Sequence, residues 1–175
     1  MPIDESKPFT PIQIAVATVS DTRTIETDTS GALLAERITQ AGHSVQDRQI
    51  ISDDVPKITA LLSQWIDDPQ VDAIITTGGT GVTGRDVTPE AFKDVMEKEI
   101  EGFGELFRWV SFQTIGTSTI QSRALGGVAK GTYMFALPGS RGAVKDGWDK
   151  ILQDQLDSRH KPCNFVELMP RLTER

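Results

Sequence analysis

The sequence holds one cysteine, Cys163, and two histidines, His43 and His160. A single thiol excludes an intrachain disulfide and any cysteine-cluster metal site, and two histidines are too few for an ordinary zinc centre. Cys163 has no candidate base near it in sequence and reads as structural, while the histidines read as turn or surface residues. Long apolar runs are missing as well, which excludes a membrane-spanning helix. The first eight residues, Met1 to Pro8, carry acids and no apolar centre, so they do not read as a signal peptide, and the expectation is a cytoplasmic protein. Positive charge is scarce: 18 Lys and Arg against 25 Asp and Glu leave a net charge of −7. That balance argues against broad binding to nucleic acid or to an anionic membrane, both of which attract basic faces. A phosphate-bearing ligand would have to be held locally, by backbone N–H groups, a few basic side chains or a divalent cation.

What is present is an ordinary globular composition, 38% hydrophobic and 25% charged, in a chain of one-domain length. Residues 1–10 are polar with two prolines and read as an N-terminal arm; 11–175 read as one α/β domain. Ile12 to Val19 suits a strand buried on both faces. Asp28-Thr29-Ser30-Gly31 offers an N-cap, and Leu34, Ile38 and Ala41 follow at helical spacing until Gly42. Val45 to Ile51 reads as a second strand, after which Asp53 or Asp54 caps a helix presenting Ile58, Leu61, Leu62, Trp65 and Ile66 on one face. Ala73 to Thr77 is a short, central third strand. Phe103, Leu106, Phe107 and Val110 fall at helical spacing, Tyr133 to Leu137 is another strand, and Val144, Trp148, Ile151 and Leu152 form a last apolar stripe. Alternating strands and helices predict βαβ units and a doubly wound α/β domain.

Ligands in such folds lie at the carboxyl ends of the strands. Four loops meet that description: Ser20-Asp21-Thr22-Arg23, Ser52-Asp53-Asp54, Gly78 to Asp86, and Pro138-Gly139-Ser140-Arg141. The loop Gly78-Gly79-Thr80-Gly81 lets backbone N–H groups approach a phosphate without Cβ interference. It has neither the ending of a Walker A loop nor the spacing of G-x-G-x-x-G. In Arg85-Asp86-Val87-Thr88-Pro89-Glu90, Thr88 suits an N-cap, Pro89 the first helical position and Glu90 the positive end of the dipole. Capping does not explain Asp86. An acid beside a phosphate cradle is costly unless it meets a cation, and Mg²⁺ takes one or two carboxylates plus phosphate oxygens and water. Asp53 is the second candidate carboxylate. Ser20 and Asp21, and Ser118 in Thr117-Ser118-Thr119, are either turn or helix-start residues or ligand contacts.

The run TTGGTGVTGRDVTPEA, Thr76 to Ala91, resembles the signature of the molybdopterin-binding family that includes the MoaB and MogA types. Segments DTSGALLAERITQAGH (Asp28 to His43), EGFGELFR (Glu101 to Arg108), IGTSTIQSRALGGVA (Ile115 to Ala129), FALPGS (Phe135 to Ser140) and KPCNF (Lys161 to Phe165) resemble the MoaB branch. The resemblance spans nearly the whole chain. It implies a three-layer α/β/α fold on a mostly parallel, doubly wound sheet, and Mg²⁺-ATP-dependent adenylylation of molybdopterin with release of pyrophosphate, in the pathway that makes the molybdenum cofactor. Carried over by position, Asp53 and Asp86 are the catalytic, metal-holding acids. Ser20, Asp21, Gly78, Gly79, Thr80, Gly81, Arg85, Thr88, Ser118, Pro138, Gly139 and Ser140 are the substrate-binding set. The resemblance also implies a homotrimer or homohexamer, to which the aromatic-rich segment Phe103, Phe107, Trp109 and Phe112 adds apolar surface. Other enzymes of the pathway are candidate partners. Two alternatives stay open: a non-catalytic molybdopterin-binding or scaffold protein of this fold, and the CinA-like branch, which the segments after residue 101 disfavour.

Overall fold

Strict alternation along the strands makes the sheet two-sided. In β1 (Gln13–Val19), Ile14 and Val16 join one apolar core, while Ala15, Ala17 and Val19 join another. The same division runs through β3 (Ala73–Thr77) and β6 (Thr132–Leu137): Ala73, Ile75, Tyr133, Phe135 and Leu137 face one way, Ile74, Met134 and Ala136 the other. A computed structural model describes residues 3–174. With β2 (Ser44–Ile51), β4 (Lys98–Glu99) and β5 (Leu125–Ala129), these strands form a six-stranded sheet in the order β2-β1-β3-β6-β5-β4. The first four are parallel, and β5 and β4 are antiparallel to their neighbours. The expected three-layer, mostly parallel α/β/α arrangement is therefore present.

One face is covered by α1 (Thr29–Gln40), α4 (Glu101–Ile115) and α5 (Arg141–Gly147), the last continuing into a π-helical turn at Trp148–Leu152. The other carries α2 (Val55–Ile66) and α3 (Thr88–Val95). The expected stripes are the ones that pack: Ile58, Leu61, Leu62, Trp65 and Ile66 are buried, as are Val144, Trp148, Ile151 and Leu152. Each such side chain contributes roughly 1.5–3 kcal/mol by leaving water. Leu106 departs from its stripe and is exposed. Among the described residues, no helix is long and apolar enough to cross a membrane.

The antiparallel end of the sheet was not expected, because Gly126-Gly127 weakens the strand signal of β5. Packing explains the glycines. A Cβ on Gly126 would stand 2.9 Å from the Phe135 ring, and one on Gly127 would stand 2.7 Å from Met96 Sδ. At the opposite end, β2 pairs with β1 through a register shift between Ile14 and Ala15, where the pairing passes from Val45 to Asp47 and skips Gln46.

Residues 3–10, the described part of the expected arm, are stitched to the C-terminal segment. Ile3 bridges His160, Asp4 N–H donates to the Arg159 carbonyl at 2.8 Å, Thr10 N–H donates to Ser158 Oγ at 2.9 Å, and Lys7 pairs with Glu167. This stitching corrects the reading of both histidines, which are buried instead of superficial. His43 follows Gly42, whose φ of +91° turns the chain under Phe9, and its Nδ1 accepts from Ile12 N–H at 3.2 Å. Cys163, read as structural, is exposed.

Burial lowers the His43 imidazole below its ordinary value, against a smaller upward pull from the Asp157 carboxylate. A depressed folded value means that stability is present above the unfolded value of 6.5 and is lost as pH falls toward the folded one. Melting temperatures measured from pH 8 down to pH 5 should therefore show a loss in the wild type that His43→Asn lacks, because Asn keeps an acceptor for Ile12 N–H without a titrating ring. Parallel curves for the two proteins would refute this account.

Candidate functional site

The parallel register sets Val19 beside Ile51, Thr18 beside Thr77, and Thr77 beside Leu137, so β2, β1, β3 and β6 end on one line. The four expected loops leave from that line. Beyond β3, Gly78 and Gly79 have φ of +107° and +65°, a conformation that side chains disfavour. Space forbids a side chain too: a Cβ on Gly78 would strike the Val19 carbonyl, and one on Gly79 would strike the Thr88 hydroxyl.

That turn is tied to the turn after β6. Gly78 N–H donates to the Leu137 carbonyl at 2.9 Å and Thr77 Oγ1 to the Pro138 carbonyl at 3.0 Å. A Cβ on Gly139 would come within 3.1 Å of Gly78 Cα. Ser30 Oγ, at the start of α1, donates to the Gly139 carbonyl at 3.1 Å. Ser140 caps α5 by accepting from Ala143 N–H at 3.1 Å. Thr88 does not cap α3 as expected. Val87 holds the cap position without a side-chain bond, whereas the fully buried Thr88 donates its hydroxyl to the Gly78 carbonyl at 2.9 Å. The hydrogen-bonding need of the glycine turn outweighs capping, and Thr88 sits inside the frame of the loop.

The two adjacent acids after β2 part ways. Asp54 is the N-cap of α2 and accepts from Lys57 N–H at 3.0 Å. Asp53 faces the glycine turn, its Oδ1 lying 3.4 Å from where a Cβ on Gly79 would be. It is also joined to the loop after β1: Asp53 Oδ2 accepts from Asp21 N–H at 3.1 Å and Asp21 Oδ1 from Asp53 N–H at 3.2 Å. Burial raises the Asp53 carboxyl above the usual carboxylate range; the charges of Asp21 and Asp86 add to this, while the Asp21 N–H and Arg85 oppose it. Arg85 lies 3.4 Å from Asp21. Ser20 closes a local turn, accepting from Thr22 N–H at 3.2 Å.

Asp86 belongs to the same electrostatic neighbourhood but is held locally. Its Oδ2 accepts from Thr83 N–H at 2.9 Å and Thr83 Oγ1 at 2.7 Å. Burial pushes its carboxyl up, yet the hydrogen bonds from Thr83 and Gly81 and the nearby Arg123 charge outweigh that and lower it. Arg123 escaped the sequence reading. Its guanidinium donates to the Gly81 carbonyl at 2.6 Å, to the Asp86 carbonyl and to Glu90, but nothing in its sequence neighbours signals a contact some forty positions away. No group of three or more His, Cys, Asp or Glu poised to hold a metal ion occurs among the described residues, so a cation here would need ligands from a substrate.

Beside the loop lies a cavity of about 210 Å³, lined by Thr80, Gly81, Ser118, Pro138 and Ser140 with Phe107 and Ile115 as apolar wall. The Thr80 hydroxyl is buried there and has no hydrogen-bond partner among the described residues. A larger groove of about 470 Å³ runs between α3 and α4 past Lys93, Glu101 and Arg108. Size favours the groove. Chemistry favours the smaller cavity, where the unpartnered Thr80 hydroxyl, Gly81 and the hydroxyls of Ser118 and Ser140 adjoin the glycine turn.

The family described as "Probable molybdopterin binding domain" matches residues 15–158. The chain is 48% identical over 160 residues to Molybdenum cofactor biosynthesis protein B of Escherichia coli, covering 91% of this chain and 94% of that protein. It is 43% identical to the protein of the same name from Bacillus cereus, over 89% and 94% of the two chains. A crystal structure of Molybdenum cofactor biosynthesis protein B superposes with a TM-score of 0.86 at 38% identity, covering 97% of this chain and all of that one.

The different postures of the paired acids give a stability test. Asp54→Ala removes a cap and should cost about 0.5–2 kcal/mol. Asp53→Asn relieves a crowded charge, whose raised folded value makes it unfavourable once pH exceeds the carboxylate range, so the variant should melt at or above the wild type at pH 7. Thermal melts in which Asp53→Asn is the less stable of the two would reverse the assignment.

Proposed function

We propose adenylyl transfer in molybdenum cofactor biosynthesis for this chain, which belongs to the molybdopterin-binding domain family. An oxygen of the molybdopterin phosphate attacks the α-phosphorus of ATP, a new P–O bond forms, the bond to the β-phosphate bridging oxygen breaks, and pyrophosphate leaves. Such transfers need placement and charge neutralisation more than covalent help. The observation that carries the reading is Asp53 facing the Gly78–Gly79 turn, within range of the Asp21 and Asp86 charges.

A divalent cation fits there, because it would offset the burial that chiefly raises Asp53 and the repulsion from Asp21 and Asp86 that adds to it. Asp53 and Asp86 are the residues that would hold Mg²⁺, with phosphate oxygens and water completing the shell; bound there, the ion supplies charge neutralisation for the triphosphate. The chain's own groups do the remaining positioning. With the Gly78 and Gly81 N–H groups engaged by the Leu137 carbonyl and the Asp86 carboxylate, the N–H groups of Gly79 and Thr80 are the ones that cradle a phosphate, and Arg85 or Arg141 offsets developing negative charge. The loops at Ser20-Asp21 and Pro138 to Ser140 bound the edge, and the unpartnered Thr80 hydroxyl and Ser118 offer hydrogen bonds to a substrate in the adjoining cavity.

A second reading, a molybdopterin-binding protein without transfer, draws on the two Thr83 bonds that satisfy Asp86 Oδ2 without a cation. Incubation with molybdopterin and Mg²⁺-ATP separates the two: adenylylated product supports transfer, and binding with no product supports the second reading. Asp86→Asn should abolish transfer while circular dichroism and melting stay near wild type, and Asp53→Asn should lower turnover by orders of magnitude. Wild-type rates in either folded variant would remove that acid from the mechanism.

The same reading includes assembly into a closed homotrimer or homohexamer. Half of the aromatic segment lies in the core, since Phe103 and Phe107 are buried. Trp109 and Phe112 remain outside, 62% and 55% exposed, and Ile115 and Ile120 are exposed as well. An apolar surface of that kind on a small protein favours a partner surface. Light scattering at micromolar concentration should give a mass three or six times that of the chain; a stable monomer would contradict it.

A further inference from the structure

We propose that Arg123 is a positioning residue that fixes the loop carrying Asp86, an inference that rests on the adenylyl-transfer reading for its catalytic half only. The segment from Gly81 to Asp86 is largely exposed, with Val82 65% accessible, and its internal ties all run to Asp86, from Thr83 and from the Gly81 N–H. Arg123 approaches from the segment just before β5, and its own N–H donates to the Thr80 carbonyl at 2.8 Å. Its side chain then grips the loop at both ends. Nε donates to the Gly81 carbonyl at 2.6 Å, Nη2 donates to the Asp86 carbonyl, and Nη1 pairs with Glu90 on α3.

Three nitrogens of one rigid plane meet three acceptors, two of them the carbonyls that bracket the loop. An ammonium is a single point on a flexible stem and cannot reproduce that fork. Because the segment bearing Arg123 leads directly into the sheet, the fork refers the position of Asp86 to β5. Loss of the fork leaves the Asp86 carboxylate bonded to Thr83 and Gly81 within the turn but frees the turn as a unit to move relative to Asp53. Displacements of about 1 Å in reacting groups cost on the order of a hundredfold in rate.

The loop itself contains a reporter, since trypsin cuts after Arg85, which is exposed. Cleavage of an opened segment follows the population of the open form. The test compares wild type, Arg123→Gln and Arg123→Lys, following the cut after Arg85 by mass spectrometry alongside the cut after Arg37 on α1, and measuring transfer on the same proteins. The expected result is faster cutting after Arg85 in both variants with unchanged cutting after Arg37, and a kcat lower by about a hundredfold at a KM for molybdopterin near wild type. Arg123→Lys behaving as wild type would overturn the fork in favour of simple charge. Equal acceleration at Arg37 would mean general destabilisation, and unchanged cutting after Arg85 would mean that the loop is held by other contacts; either result overturns the proposal. If the wild type makes no adenylylated product while the selective cutting appears, the reaction fails and Arg123's hold on the loop stands.

Discussion

Everything at the candidate site depends on four parallel strands stopping in register. Parallel pairing forces the chain to return to the same side of the sheet before each new strand, so the loops that follow β1, β2, β3 and β6 emerge together although they lie more than a hundred residues apart in sequence. The register is held by the alternation of apolar residues into two cores, because a slip of one residue would turn every buried side chain toward the wrong layer. The close contact between the Gly78 and Gly139 turns is affordable only because Thr77 and Leu137 are already paired.

Helix starts and central strands were legible in the sequence because local chemistry sets them. Asp28 and Asp54 cap α1 and α2 as their neighbours indicated, and Ala73 to Thr77 is the strand that its β-branched run implied. Of Asp53 and Asp54, both of which the sequence offers as the cap of α2, Asp54 takes that place and Asp53 turns to the glycine loop. What stayed hidden depends on distant partners. Strand β5 gave no local signal, and the fit of Gly126 and Gly127 is set by Phe135 and Met96, where no larger residue has room. Thr88 has the local credentials of a cap, but the Gly78 carbonyl takes its hydroxyl. His43 was misplaced because its burial comes from Phe9 and Trp148, neither near it in sequence. Arg123 was missed for the same reason.

A buried ion pair shows how an acidic protein manages charge just beneath this edge. Asp28 accepts from Thr18 Oγ1 at 2.8 Å, Gly31 N–H at 2.9 Å and Arg48 Nη2 at 2.8 Å. Burial raises its carboxyl, but the bonds from Arg48, Gly31 and Thr18 outweigh that and hold it below the usual range. Buried carboxylates are tolerable only when so fully satisfied. The same group thus caps α1 and pins it to β1 and β2, which sets the height from which Ser30 reaches the Gly139 carbonyl.

The skipped residue in β2 reaches beyond the local pairing. A sheet ending in a long, flat, apolar strand invites another chain to extend it, yet here one margin is kinked at Gln46 and lined with Gln46, Asp47, Arg48 and Gln49, and the opposite margin is only Lys98–Glu99. Neither border is a template for fibre-like growth. Extension of the ladder by a second copy of this chain is thereby disfavoured at both borders.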